Sequence, residues 1–147
     1  MRVYPDDLER PAAEPEHEAC AQASPVTIVV CSSCRLRSEP EADPRPGSLL
    51  AKATANAAED ASDLVEVRQV ACLGNCKRGL SAVMMRDGCW SYVFGDLNVA
   101  NAPDLIAGAE LFARSTDGFM PFRARPEPLK RGLIARVPTF DSLKEIP

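Results

Sequence analysis
Val26-Thr27-Ile28-Val29-Val30-Cys31-Ser32-Ser33-Cys34 is a β-branched run that opens after Pro25 and empties into a cysteine pair. Such residues fit the pleated, half-buried surface of a sheet, and a short apolar run bounded by proline reads as a buried strand. Leu64 to Ala71 repeats the arrangement, because its strand signal ends at Cys72-Leu73-Gly74-Asn75-Cys76. Gln69 interrupts the alternation of Val65 and Val67, which predicts a bulge or an early end. Two strands thus deliver two thiols each.

Working outward, Arg35 to Pro46 holds Pro40, Pro44 and Pro46 among mixed charges and reads as a loop. Ser48 is placed to cap a helix through Leu49, Leu50, Ala53, Ala57 and Ala58, which Asp60 to Asp63 ends. Ser81 to Arg86, then Asp87-Gly88, then Cys89 to Phe94 predicts a hairpin with a two-residue turn. Asn101 is placed to cap a last helix carrying Leu105, Ala109 and Phe112 on one stripe. The order strand, helix, strand, hairpin, helix predicts one α/β domain over residues 26–118 with a mixed sheet.

The flanks differ from this centre. Residues 1–25 carry six carboxylates, two arginines and four prolines, and they read as an acidic, disordered leader. Residues 119–147 form a tail rich in proline and arginine, with Phe119-Met120-Pro121-Phe122 and Leu133 to Val137 apolar enough to dock on the core. Its prolines predict an extended path, and Arg123, Arg125, Lys130, Arg131 and Arg136 read as solvated charge. The leader lacks a secretory apolar stretch, and no run approaches the roughly 18 apolar residues of a spanning helix. A net charge of −4 over 147 residues gives no broad basic surface for nucleic acid. The expectation is a cytoplasmic protein that binds neither nucleic acid nor membrane, with a homodimer left open.

In a reducing compartment, cysteines in this pattern read as ligands rather than as a disulfide framework. Cys31, Cys34, Cys72 and Cys76 supply four soft thiolates in two pairs, which matches two tetrahedral irons taking two outer thiolates each. The candidate cofactor is therefore a 2Fe-2S cluster, and the expected function is electron transfer between protein redox partners without turnover of a substrate. Gly74 permits a positive φ, so nearby amides can donate to sulfur. Arg35, Arg37, Lys77 and Arg78 flank the ligands, where cations favour a reduced, more negative centre. Zinc accepts the same four thiolates as a structural site in a binding module or a metal-handling accessory protein. A thiol-disulfide oxidoreductase would use Cys31 as attacking thiolate and Cys34 as resolver, and leaves the second pair unexplained. His17 is the single histidine, which excludes a Rieske centre and disfavours a catalytic triad. Cys20 reads as a tail thiol, Cys89 as a small core or edge residue, and Trp90, Tyr92 and Phe94 as sheet packing.

On these residues the chain resembles the thioredoxin-like 2Fe-2S ferredoxins over about residues 26–118, with Cys72 to Cys76 similar to their second ligand pair. It departs in the first pair, where only Ser32 and Ser33 intervene and those ferredoxins usually have four or more residues. The chain also resembles a bacterial family of predicted metal-binding proteins, domain of unknown function 1636. Members are similar in a Cys-x-x-Cys-Arg start, a loop like Arg45-Pro46-Gly47, the Cys-Leu-Gly-x-Cys centre and a tail like Arg131-Gly132-Leu133-Ile134-Ala135-Arg136-Val137-Pro138. The resemblance implies a thioredoxin-like fold, metal binding and, through the setting in which members occur, a link to cobalamin and cobalt handling.

Overall fold
The computed structural model describes residues 22–144 and residue 146. His17, Cys20 and most of the acidic leader lie outside the described residues. The chain order is β1 (Val26–Cys31), α1 (Pro46–Ala58), β2 (Val65–Val70), β3 (Ala82–Arg86), β4 (Ser91–Phe94), α2 (Ala102–Arg114), α3 (Glu127–Arg131) and β5 (Leu133–Val137). Single 3-10 turns stand at Cys76–Arg78, Val99–Asn101 and Phe140–Ser142. The five strands form one mixed sheet in the order β2-β1-β3-β4-β5. β1 pairs parallel with β2, from Val26 opposite Val65 to Cys31 opposite Val70. β3 runs antiparallel to β1, β4 to β3 and β5 to β4.

The β-branched run of β1 alternates as expected: Val26, Ile28 and Val30 are fully buried, whereas Thr27 and Val29 are half-buried. α1 and α2 pack against each other and over β1 and β2. Tyr92 and Phe94 stack in the core with centroids 6.1 Å apart, and Phe112 from α2 meets Tyr92 edge-on at 5.0 Å. The hairpin turns at Asp87-Gly88, where Gly88 has φ +75° and the Cys89 N–H donates to the Arg86 carbonyl. Cys89 is buried, as expected, but it is disulfide-bonded, which departs from the reading of the cysteines as ligands or reduced thiols.

Several boundaries differ from the sequence expectation, each for a physical reason. α1 starts at Pro46, not after Ser48, because proline at the first helical position gives up only an N–H that would be unpaired there. β2 runs unbroken through Gln69, since an edge strand lets that side chain face solvent, and the register shift falls instead between Val93 and Phe94 on β4. Asn101 does precede α2, but its Oδ1 accepts from the Asn98 N–H in a capping box on the preceding turn.

The tail is structured rather than simply extended. Residues 119–147 supply α3, whose Leu129 is fully buried against Gly108, and β5, the outer strand beside β4. Two of its arginines are not solvated. Arg125 is 8% exposed, donates to the Met120 carbonyl at 2.6 Å and lies over the rings of Tyr92 and Phe122. Arg136 lies over Trp90 at 4.7 Å and Phe119 at 4.4 Å. Guanidinium planes stack on aromatic faces at low desolvation cost, so these arginines act as packing groups. Among the described residues, no helix is long and apolar enough to cross a membrane.

Candidate metal centre
Parallel pairing of β1 and β2 puts their carboxyl ends side by side, so the loops that carry the two cysteine pairs emerge at one end of the sheet. The N–H groups of Ser32 and Ser33 donate to the carbonyls of Val70 and Ala71, which stitches the first loop to the second. Cys31 and Cys34 are 1% and 3% exposed, and their sulfurs stand 3.2 Å apart. The Cys31 thiol also reaches the Ala71 carbonyl at 3.7 Å. Cys72 and Cys76 are exposed, with the Gly74 N–H donating to the Cys72 sulfur at 3.2 Å. Gly74 has φ +75°, the left-handed conformation its position required. Among the described residues, these four are the free cysteines.

Two glycines permit the close approach. A Cβ on Gly47 would collide with the Cys31 carbonyl oxygen and stand 2.9 Å from the Cys34 nitrogen. A Cβ on Gly79 would sit 3.1 Å from the Cys34 sulfur. Gly47 is the second residue of α1, and its N–H donates to the Cys34 carbonyl at 3.0 Å, so the helix start is clamped directly onto the first pair.

The thiols influence one another. Burial pushes Cys31 up, but hydrogen bonds with Cys34, Leu73 and Ser33 together outweigh it and hold the thiol below its ordinary value. Burial pushes Cys34 up to about 11, helped by its hydrogen bond to Cys31 and by the charge of that neighbour. Cys76 is raised first by the charge of Cys72, then by their mutual hydrogen bond, and further by Cys31.

Of the flanking cations, Arg35 turns back to the carbonyls of Pro40 and Ala42, and Arg78 is held by Asp96 at 2.6 Å. Arg37 and Lys77 are exposed. Arg45 donates to the Ser33 carbonyl at 3.2 Å and thereby braces the first loop. Sequence reasoning missed Asn75 and Ser81 as parts of this site. The Asn75 Nδ2 donates to the Ser81 hydroxyl at 2.8 Å, a link that only the register of β3 beside β1 makes visible.

The donor set suits a thiophilic metal. Two thiolates on one tetrahedral ion with bonds of about 2.3 Å stand roughly 3.8 Å apart. The Cys31–Cys34 separation of 3.2 Å needs only a small opening to meet that value. Among the described residues, no three histidine, cysteine, aspartate or glutamate side chains form a single metal-ready group.

The fold is similar to that of solved thioredoxin-like 2Fe-2S ferredoxins. The wild-type thioredoxin-like 2Fe-2S ferredoxin from Aquifex aeolicus, in its crystal structure at 1.5 Å, matches 77% of this chain and 99% of its own, with a TM-score of 0.51 at 13% identity. A second structure of a thioredoxin-like 2Fe-2S ferredoxin from that organism matches 78% of this chain and 94% of its own, with a TM-score of 0.52 at 13% identity. At such identity the likeness is one of fold. The chain belongs to the family described as Protein of unknown function (DUF1636), which matches residues 28–139. No curated protein matches it in sequence.

Proposed function
We propose that Cys31, Cys34, Cys72 and Cys76 hold a 2Fe-2S cluster and that the protein carries single electrons between protein partners, with no substrate turnover of its own. The observation that carries this reading is that two thiol pairs, one buried and one exposed, are carried on adjoining loops at the carboxyl ends of two parallel strands. When bound, the cluster supplies one-electron exchange. The protein's part is to hold it, donate hydrogen bonds to its thiolates, as the Gly74 N–H does to Cys72, and leave one side open to a partner. A structural zinc would take the same four thiolates, and metal and sulfide analysis separates the two readings. The low Cys31 and high Cys34 resemble the division of labour in a thiol-disulfide enzyme, but a sulfur on a residue 1% exposed is closed to a protein disulfide.

Anaerobic purification followed by iron and acid-labile sulfide analysis tests the proposal. Equal iron and sulfide, near two of each per chain as the cluster formula requires, is the expected result. Colourless protein with one zinc would sink it. Replacing Cys72 or Cys76 by Ala should abolish or grossly alter the visible chromophore, and a normal spectrum in either variant would remove that residue from the ligand set.

A further inference from the structure
We infer that Ser81, gripped by Asn75, is the positioning residue that fixes the two cysteine pairs relative to one another. Ser81 is fully buried just ahead of β3, where a hydroxyl is costly unless bonded. Its carbonyl and its hydroxyl each go to one of the cysteine loops. Its carbonyl accepts from the Cys31 N–H at 3.0 Å. The hydroxyl oxygen accepts from the Asn75 Nδ2 at 2.8 Å. An amide NH₂ can only donate, so the Ser81 oxygen is the acceptor of this bond. Asn75 of one cysteine loop is thereby joined through Ser81 to Cys31 of the other.

Asn75 lies between Gly74 and Cys76, so whatever holds its side chain holds the loop of the exposed pair. The same Nδ2 lies 3.3 Å from the Arg78 carbonyl, which closes the loop on itself. The Asp96 N–H donates to that carbonyl at 2.6 Å, and the Asp96 carboxylate holds the Arg78 guanidinium. The outer rim of the loop is thus fastened by Asp96, and its inner wall by Ser81. Only the inner fastening touches the first cysteine pair.

The inference leans on the cluster reading for its spectroscopic test alone. Ser81→Ala, Asn75→Ala and the double variant are compared by amide hydrogen exchange of the peptide covering residues 72–79, first in the iron-free protein. Each single variant should exchange there roughly five- to tenfold faster, the equilibrium equivalent of one lost hydrogen bond, with β1 and β3 unchanged. The double variant should add little, because both changes break one chain. In iron-loaded protein, the two single variants should shift the visible circular dichroism in the same sense at unchanged iron content, which a purely structural role would not produce. Asn75 is half-buried in a loop, so Asn75→Ala still decides the matter if Ser81→Ala folds poorly. Unchanged loop exchange in the single variants, or a double variant showing the full sum, overturns the tether. If the wild-type chain takes up no iron, the cluster reading falls, and the exchange result alone decides the tether.

Discussion

Gly47 and Gly74 are both glycines beside a cysteine pair, yet they are glycine for different reasons and should fail differently. At Gly47 the constraint is space: a Cβ meets backbone atoms of Cys31 and Cys34, which cannot swing aside as a flexible side chain can. Overpacking of this kind costs about 1–3 kcal/mol. Gly47→Ala should therefore lower the midpoint of denaturant unfolding at unchanged slope, and it should pry α1 from the first pair. At Gly74 the constraint is conformation: φ is +75°, and nothing lies within 4 Å of the added carbon. The left-handed penalty of about 1–2 kcal/mol applies, but an exposed loop can relieve it by detaching locally. Gly74→Ala should leave the unfolding midpoint nearly unchanged while weakening metal retention under a chelator. A larger loss of global stability in Gly74→Ala than in Gly47→Ala would contradict this assignment.

The elements that sequence made legible are those whose pattern is local. β1 is recognisable from its β-branched run, the hairpin from Asp87-Gly88, and α2 from the Leu105, Ala109 and Phe112 stripe, and all are present. The four cysteines were equally plain, because their spacing is written in the chain. α3 and β5 were not, since Pro126, Pro128 and Pro138 break any periodic signal. Arg125 and Arg136 look like solvent-facing charge until the aromatic rings beneath them are known. Ser81 was hidden for a related reason: its role depends on register across β1 and β3, which no single segment carries. The element-scale consequence concerns the tail. Met120 and Leu129 are 1% and 0% exposed, and the Met120 N–H donates to the Tyr92 hydroxyl. Burying each large apolar side chain is worth roughly 1.5–3 kcal/mol. Against a typical total of about 5–15 kcal/mol, removal of residues 119–147 should abolish cooperative unfolding. A truncated chain that melts with the full-length midpoint would show that β5 and α3 are ornaments to an independent unit.

At the scale of the whole molecule, the core and the candidate centre are adjacent but not the same thing. The buried cluster runs from Val26 and Ile28 through Leu50, Met84, Tyr92, Phe94 and Phe112 to Leu129, and it includes Cys31 and Cys34 as small apolar residues. Cys72 and Cys76 stand outside it, exposed on a loop. A domain that depends on metal to fold lacks such a core, and its ligands hold together elements that otherwise do not touch. Here β1 and β2 are already paired along their full length, and Arg86 ties β3 to the end of α2 through the carbonyls of Phe112 and Ser115. Metal removal should therefore leave a folded protein. Stripping iron anaerobically with chelator and reductant is expected to preserve far-UV circular dichroism and a single cooperative transition. The melting temperature should fall by no more than the binding free energy allows, and lost exchange protection should be confined to residues 72–79. Global collapse of the metal-free chain would mean that the metal is a structural staple. The proposed separation between a self-sufficient sheet and the electron-carrying group at its end would then fail.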